Sequence, residues 1–400
     1  MEGKWFTIVA MGYDGVARDE ERGEDMNDGE EFDVIIVGAG AAGVGCGIML
    51  QAIGLTRFTL LERHAVGASF ARWPAEMRFI TPSFPSNAYG LLDLNAVALE
   101  TSPAFGLRKE HPSGQEYAGY LQTIAEHFAL PIRTGVEVRA VTPLPDREGF
   151  TVETSAGVLR SRFVVWAAGE FQYPWLTPFP GAEHCRHNAR VRSWAEVAGD
   201  DPIVIGGYES GIDAAANLVA QGRRVRVIGA SASWENRDND PSVSLSPYTE
   251  ERLLAAHATG NLTLIGETAV THVARAKDGY TVHGDDRQVW HTSHPPILAT
   301  GFIGSLQLVS DLFAWDEAEG YALLSMQDES TRTPGLFLIG PSVRHDAAIF
   351  CFIYKFRQRF AVVAHAIGER LGLDVAPLDF YRTRAMFLDD LSCCADACVC

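Results

Sequence analysis

The chain has 400 residues, of which 47% are hydrophobic and 21% are charged, and its formal net charge is −18 at pH 7. This length and composition are typical of a globular protein with two or three domains. The negative charge argues against nucleic acid as a partner, because phosphate binding needs a basic surface.

Neither end of the chain predicts a membrane anchor or a secretion signal. Residues 1–11 lack the basic region and the cleavage site of a signal peptide. The apolar stretch 347–367 is too interrupted for a bilayer span. Its interruptions are Lys355, Arg357, Gln358 and Arg359. We therefore expect a cytoplasmic protein that has no membrane partner.

The first thirty residues are strongly acidic. The segment Asp14–Glu31 contains nine acidic residues and only two basic ones, Arg18 and Arg22, which gives it a net charge of −7. Such a segment has too few large apolar groups to form a core. We predict a disordered acidic leader over residues 1–30.

A glycine-rich turn follows the first apolar segment. The run Phe32–Val37 is typical of a strand buried on both faces, and Val44–Ala52 is compatible with a helix. Between them lies Gly38–Gly43, with the GxGxxG pattern. Its first glycine makes the tight turn, its second lets a pyrophosphate approach, and its third lets the helix pack on the strand. This order of elements predicts a dinucleotide site.

An acidic residue supports the same prediction. The next strand, Arg57–Leu61, ends at Glu62, about twenty residues beyond the turn. A carboxylate at this distance accepts hydrogen bonds from ribose hydroxyls. The candidate contacts of this first site are Gly38, Gly40, Ala42, Gly43, Glu62 and Arg63.

Three later segments also end in glycine after an apolar strand: Arg162–Gly169, Pro295–Gly301 and Gly335–Gly340. A helical pattern from about Asp346 to Leu371 follows the last one. With these residues the chain resembles the flavoproteins with two dinucleotide-binding domains. They belong to the pyridine nucleotide-disulfide oxidoreductase superfamily and include thioredoxin-reductase-like enzymes and flavin-containing monooxygenases.

The resemblance covers about residues 31–390 and implies an α/β fold. Two Rossmann-like, doubly wound, three-layer domains are expected, the second inserted in the first. An FAD-binding domain would comprise 31–177 and 295–390, and an NAD(P)-binding-like domain 178–294. The resemblance also implies FAD contacts from Gly169, Gly301, Gly340 and Pro341. Thioredoxin reductases have aspartate at the place of Pro341, so this position is more similar to the monooxygenases.

The inserted domain carries a second, altered glycine turn. The strand Pro202–Ile205 leads into Gly206–Gly211, a helical run and a further strand. Tyr208 replaces the middle glycine, where its side chain would crowd a pyrophosphate. Either NAD(P)H binds with a shifted loop, or the domain is a scaffold and substrate reduces the flavin. NADH versus NADPH stays open. The candidate residues are Gly206, Tyr208, Ser210 and Gly211.

Two further segments bear on the flavin face. In related flavoproteins the region matching Val66–Gly114 covers the isoalloxazine, which makes Ser69, Arg72, Trp73 and Thr81 candidates. The alternative is that Trp73 is ordinary core. The segment beginning at Phe179 resembles the monooxygenase fingerprint FxGxxxH, but Cys185 replaces its histidine. This replacement counts against oxygen insertion.

Cysteines crowd the last eight residues. The four are Cys393, Cys394, Cys398 and Cys400, while Cys46, Cys185 and Cys351 are scattered and expected to be buried. No CxxC occurs in either nucleotide-binding domain. The tail 391–400 resembles mercuric reductases and larger thioredoxin reductases, in which a C-terminal cysteine pair carries electrons. A metal–thiolate site and an inert tail are the alternatives.

The resulting prediction is an FAD-dependent NAD(P)H oxidoreductase. It would pass electrons between flavin and a small-molecule or peptide thiol/disulfide substrate, with the four terminal cysteines as catalytic residues and no residue assigned to a metal. A monooxygenase of a small apolar or sulfur-containing molecule is the first alternative. A metal–thiolate flavoprotein without turnover is the second. A homodimer is an open expectation.

Overall fold

The computed structural model describes residues 29–85, 91–145 and 148–392. Its strands are β1 (Glu31–Val37), β2 (Phe58–Glu62), β3 (Ile132–Thr134), β4 (Val138–Pro143), β5 (Phe150–Thr154), β6 (Gly157–Trp166), β7 (Arg186–His187), β8 (Ile203–Ile205), β9 (Val225–Ile228), β10 (Leu262–Ile265), β11 (Val270–Ala276), β12 (Gly279–Gly284), β13 (Val289–Thr292), β14 (Ile297–Leu298), β15 (Ala314–Trp315), β16 (Ala322–Leu323), β17 (Leu336–Leu338), β18 (Arg344–His345) and β19 (Ala348–Ile349). Its α-helices are α1 (Ala41–Ala52), α2 (Ala68–Ala71), α3 (Pro103–Leu107), α4 (Gly114–His127), α5 (Glu209–Ala220), α6 (Pro247–Ala258), α7 (Ile353–Phe356), α8 (Phe360–Leu371) and α9 (Asp379–Arg382). The predicted acidic leader lies outside the described residues except for Gly29 and Glu30, and it stays a prediction.

The larger sheet is built around β1. Val34, Ile35 and Ile36 are fully buried, as expected for a parallel strand covered on both faces. β1 pairs in parallel with β2 and β6, in a sheet of order β3-β2-β1-β6-β5-β4. The first half of β6 pairs antiparallel with β5, and its last residues pair in parallel with β17. The carboxyl ends of β1, β2, β6 and β17 therefore meet at one edge.

Helix α1 packs against α8 beneath this edge. The approach is close because a Cβ at Gly45 would overlap the ring of Phe360. The long helix predicted from about Asp346 starts later than expected. β18 and β19 form a hairpin there, α7 begins at Ile353, and a 3₁₀ turn at Arg357–Arg359 leads into α8.

The second sheet has the order β10-β9-β8-β14-β7, and all its pairs are parallel. Helix α5 follows β8 and packs against β8, β9 and α6. Strand β14 lies just beyond the boundary predicted at 294/295 and pairs with β8 in the second sheet rather than with a strand of the first. The apolar run at Ile297–Leu298 indicates a buried strand but does not specify its partner.

Two mainly parallel sheets with helices packed on them confirm the predicted α/β class. A small antiparallel sheet, β11-β12-β13, adjoins the second one. None of the helices in the described part of the chain combines the length and the hydropathy that a bilayer-spanning segment needs.

Candidate functional site

The first glycine turn joins β1 to α1 by two close approaches. Gly38 has a φ of +105°, and a Cβ there would lie 2.6 Å from the carbonyl oxygen of Ala167. A Cβ at Gly43 would overlap the carbonyl oxygen of Gly38. Only glycine fits either position, so the turn keeps strand and helix in contact.

The surroundings of Gly40, the middle glycine of the first turn, are different. Gly40 is the N-cap of α1 and provides no side-chain cap for the first N–H groups of the helix. A Cβ at Gly40 would meet nothing within 4 Å, because the turn opens into a cavity at this point. Uncapped N–H groups at a helix N-terminus bind phosphate through hydrogen bonds and the helix dipole. The turn therefore fits the pyrophosphate of a dinucleotide.

Glu62 lies beside this turn at the end of β2. Its carboxylate is buried and accepts hydrogen bonds from the backbone N–H groups of Ala39 and His64, each at 2.9 Å. These two bonds fix the carboxylate at the wall of the cavity and leave further lone pairs on both oxygens. The arrangement fits the ribose hydroxyls expected for FAD.

Arg63 lines a smaller recess next to the cavity, together with Gly38 and Glu62. Its guanidinium bonds to Glu137 at 3.3 Å and to Gln172 at 3.0 Å, and it lies 5.5 Å from the ring centroid of Tyr173. This position suits contact with the nucleotide half of a dinucleotide rather than with its reactive ring.

One cavity of about 360 Å³ collects most of the predicted flavin contacts. The predicted residues in its lining are Gly38, Gly40, Ala42, Glu62, Ser69, Trp73, Thr81, Gly169, Ser210 and Pro341. Gly43 lies behind the lining at Gly38, and a Cβ at Gly340 would lie 3.2 Å from Cβ of Ala42. Gly301 accepts a backbone hydrogen bond from Trp175 outside the cavity lining.

Trp73 fits both of its predicted roles. Its indole lines the cavity and also packs on Phe79, with ring centroids 4.9 Å apart. Ser69 is fixed by Gln172, whose amide donates to the Ser69 hydroxyl at 3.0 Å. Arg72 donates to the other end of Gln172 at 2.6 Å, so it positions this wall without lining the cavity.

The second turn repeats the backbone design of the first. Gly206 has a φ of +109°, and a Cβ there would overlap the carbonyl oxygen of Ala299. A Cβ at Gly211 would in turn overlap the carbonyl oxygen of Gly206. The outer glycines of the two turns are thus required by equivalent contacts, and the difference lies at Tyr208.

Tyr208 is the N-cap of α5, and its side chain reaches a loop of residues 236–246, here called the crossing loop. The Tyr208 hydroxyl donates to the carbonyl oxygens of Ser244 at 2.8 Å and Pro241 at 3.1 Å. Burial raises the pKa of this phenol above its usual value, which keeps it a neutral donor. Tyr208 therefore holds the crossing loop close to the second turn.

Trp234 covers the ends of three adjacent strands. A Cβ at Gly207, after β8, would overlap its indole. Cβ atoms at Gly229, after β9, and Gly266, after β10, would lie 3.1 and 3.2 Å from it. Dinucleotides bind across this carboxyl edge in doubly wound sheets. The indole of Trp234 therefore narrows the second crevice at the edge where a nicotinamide dinucleotide would bind.

The N-terminus of α5 also faces the shared cavity. Glu209 and Asp213 line it, together with Ser210. Glu209 accepts bonds from the backbone N–H of Ser246 and the hydroxyl of Thr249, both at 2.5 Å. Asp213 is paired with Arg252 at 2.6 Å. Both carboxylates thus make hydrogen bonds or ion pairs with other residues of the protein.

The predicted catalytic residues Cys393, Cys394, Cys398 and Cys400 lie outside the described residues. Burial raises the pKa of the Cys46 and Cys185 thiols to about 12, as expected for unreactive cysteines. Cys351 lines the cavity, and its thiol donates to Ser242 at 3.2 Å. Within the described ranges no cluster of three or more metal-binding side chains is present.

Three residues after β6 were missed from the sequence. Glu170, Phe171 and Gln172 line the cavity directly after Gly169. Their position in the sequence could have indicated this role, because they follow the carboxyl end of a central strand, where ligands bind in open α/β sheets. From α7 the cavity also receives Ile353 and Phe356.

Two glycine turns on two parallel sheets, opening onto one cavity, define a two-domain dinucleotide-binding oxidoreductase. A model of the family "Pyridine nucleotide-disulphide oxidoreductase" matches residues 35–340, and the chain belongs to this family. The resemblance and the enzyme class predicted from the sequence are confirmed. FAD and NAD(P)H are the cofactors of the family.

Curated relatives are similar over different lengths. An uncharacterized oxidoreductase, CzcO, of Bacillus velezensis is 28% identical over 193 residues, 47% of this chain and 52% of that protein. The chain thus spans about half the length of this relative. A ferredoxin–NADP reductase of Bradyrhizobium sp. is 26% identical over 325 residues, 79% of this chain and 84% of that protein.

Solved structures are similar to this chain over both sheets and 85–86% of its residues. The bacillithiol disulfide reductase Bdr of Staphylococcus aureus has a TM-score of 0.69 and 18% identity, covering 85% of this chain and 99% of its own. A flavin-containing monooxygenase of Stenotrophomonas maltophilia has a TM-score of 0.66 and 17% identity, covering 86% and 99%. At these identities the likeness shows the fold alone.

Proposed function

We propose that the chain is an FAD-dependent oxidoreductase that exchanges electrons between its flavin and a thiol/disulfide substrate through the C-terminal cysteines. The observation that carries the flavin is the uncapped N-terminus of α1, which opens into the cavity next to the fixed carboxylate of Glu62. When bound, FAD supplies two-electron redox chemistry at its ring system.

The residues of the cavity wall would hold the cofactor and exclude water. Gly38–Ala42 would bind the pyrophosphate through backbone N–H groups, and Glu62 the ribose. Trp73, Phe171 and Phe302 provide an apolar surface, which leaves room for a small substrate next to the reactive ring.

The path of the chain before residue 393 supports a role for the tail. Leu388 is tied to the α7–α8 region, since its N–H donates to the carbonyl of Gln358 at 3.0 Å and its carbonyl accepts from Arg359. Leu391 is buried. The cavity lining includes Phe352, Ile353 and Phe356. These residues lie only a few positions before Gln358 and Arg359, which hold Leu388.

The length of the tail can be compared with the stretch of chain between Gln358 and the cavity-lining residues of α7. Eight residues beyond Ser392 span at most about 26 Å when extended. The stretch from Gln358 back to Ile353 is about 8 Å long at helical rise. An extended tail is thus longer than this stretch of the α7–α8 region, as a shuttle between tail and cavity requires.

The test compares the full chain with two variants in FAD-loaded form. One ends after Asp390, and the other keeps the full length with all four terminal cysteines replaced by serine. Both are expected to retain FAD and to lose turnover of a disulfide probe such as oxidised glutathione when NADPH or NADH is supplied as the electron donor. Unchanged turnover in the serine variant would exclude the shuttle, and the truncation controls for tail length.

A second candidate is an FAD-dependent monooxygenase of a small apolar or sulfur-containing molecule. Pro341 favours it, because this residue lines the cavity where thioredoxin-reductase-like enzymes have aspartate. Mass spectrometry of the products would distinguish the two: an added oxygen atom indicates the monooxygenase, and two thiols from a disulfide indicate the reductase.

A further inference from the structure

Glu170 enters the cavity from the carboxyl end of β6. It follows Gly169 directly, and its Cβ lies 3.9 Å from the position that a Cβ at Gly304 would take. Solvent reaches its side chain through the cavity. Within the described residues its carboxylate has neither a hydrogen-bond partner nor an ion-pair partner.

The other ionisable groups of the lining are engaged. Glu62 accepts two backbone N–H groups, Glu209 accepts from Ser246 and Thr249, and Asp213 pairs with Arg252. Arg78 donates to the carbonyls of Ala75 and Met77, and the Cys351 thiol donates to Ser242. Asp213 keeps one oxygen without a partner, but Glu170 is the one ionisable side chain of the described lining that has no partner at any of its polar atoms.

We propose that Glu170 is the acid–base residue of the cavity, which protonates the thiolate released from a disulfide and takes the proton back from a thiol. The proposal rests on the thiol/disulfide activity proposed above. Cleavage of one S–S bond consumes two electrons and two protons and gives two thiols. Two electrons and one proton come from the two-electron-reduced cofactor, and the second proton comes from Glu170.

The surroundings of Glu170 suit this exchange. Phe171, Phe302 and Phe352 share the lining with it. Glu170 is exposed to the open cavity, but the protein atoms crowded around its carboxyl desolvate it in part and raise its pKa above the usual value, which favours the protonated form. The charged groups that face the same cavity are Glu62, Arg78, Glu209 and Asp213. A thiolate formed nearby would favour the protonated form further.

The test follows anaerobic reduction of the FAD-loaded full chain by dithiothreitol across a range of pH. Glu170→Gln is expected to slow bleaching of the flavin by about 100-fold or more and to remove the pH dependence that this carboxyl gives. Glu170→Asp should recover part of the rate with a displaced pH profile. Glu183→Gln, at an exposed glutamate outside the cavity, is the matched control.

A second readout does not depend on turnover. Infrared difference spectra of the substrate-free, FAD-loaded protein should show a protonated carboxyl band that Glu170→Gln removes. A Glu170→Gln variant with the wild-type rate and pH profile would overturn the proposal and leave the thiol/disulfide activity intact. A wild-type flavin that no thiol reduces would overturn both.

Discussion

The hydroxyl of Tyr208 donates a hydrogen bond to the backbone carbonyl of Ser244 over 2.8 Å. This bond joins the middle position of the second turn to the crossing loop. The same loop is held from the other side by Lys355, whose ammonium group bonds to Asp240 at 2.6 Å and to Ser242 at 2.7 Å. The crossing loop therefore connects the second glycine turn to α7, which lines the cavity.

Loosening this loop should improve access of a nicotinamide. Tyr208→Phe removes both hydrogen bonds and keeps the ring. Because the single hydroxyl proton, shared between two carbonyl oxygens, contributes about 1 kcal/mol and only an open crevice binds, we expect about 5-fold tighter binding of NADPH or NADH. Calorimetric titration of the FAD-loaded protein with each nucleotide measures it.

Tyr280→Phe, on β12, controls for loss of a phenol elsewhere in the same part of the chain. Equal affinities of the wild type and Tyr208→Phe would show that the crossing loop does not limit nucleotide binding. Binding to neither protein would support the alternative that this domain is a scaffold.

The middle and last glycines of the first turn, Gly40 and Gly43, should respond differently to alanine. At Gly43 a Cβ would overlap the carbonyl oxygen of Gly38, whereas at Gly40 it would meet nothing of the protein within 4 Å. We expect Gly43→Ala to lower both the thermal midpoint and the FAD content. Gly40→Ala should keep the midpoint of the FAD-free protein and weaken FAD binding, because its methyl group would occupy the space of the pyrophosphate.

Thermal unfolding of the FAD-free variants and FAD titration separate the two effects. Gly40→Ala with wild-type affinity for FAD would contradict a pyrophosphate at this turn. A Gly43→Ala variant as stable as the wild type would contradict the close contact between helix and strand.

Replacing Glu62 with glutamine should release FAD. Both carboxylate oxygens accept backbone N–H groups, so the amide of a glutamine would direct N–H toward N–H at Ala39 or His64. An unpaired buried donor costs about 1–3 kcal/mol, a loss of about 5- to 150-fold in affinity if the cost appears in binding. FAD content after gel filtration measures it, with Glu153→Gln on the exposed face of β5 as the control. Full FAD content in Glu62→Gln would exclude the ribose contact.

The sequence predicted those parts of the molecule that depend on neighbouring residues. The strand–turn–helix unit around Gly38 and the acid at Glu62 follow from local patterns: an apolar run, glycine spacing and a carboxylate one strand later. The same reasoning found the second turn and the departure at Tyr208.

Long-range packing decides what the sequence did not predict. Tyr208 and Ser244 are 36 residues apart, and no local pattern indicates their bond. Trp234 covers the ends of β8, β9 and β10 only once these strands are aligned. The apolar pattern of Ile297–Leu298 predicts a buried strand that would fit either sheet. Its partner strand depends on where the chain passes from one domain to the other.

The contact between the two parts of the chain at Glu76 should depend on pH. Its carboxylate accepts from the hydroxyl of Ser193 at 2.5 Å and the backbone N–H of Trp194 at 3.0 Å. Burial alone would raise the pKa of Glu76, but these hydrogen bonds outweigh it and hold the pKa below its usual value. The stabilisation is therefore present above the ordinary glutamate pKa and is lost as pH falls through the lowered folded-state pKa.

Glu76→Gln should consequently lower the free energy of unfolding near neutral pH, by about 1–2 kcal/mol for weakened hydrogen bonds to a charged acceptor. The difference from the wild type should shrink as the pH falls below the ordinary glutamate pKa and through the lowered folded-state pKa, where the wild-type carboxyl becomes protonated. Urea unfolding at a series of pH values measures it. Glu251→Gln, at an exposed position of α6, should show no such trend. A difference that stays constant down to acid pH would mean that the charge of Glu76 contributes nothing to this contact.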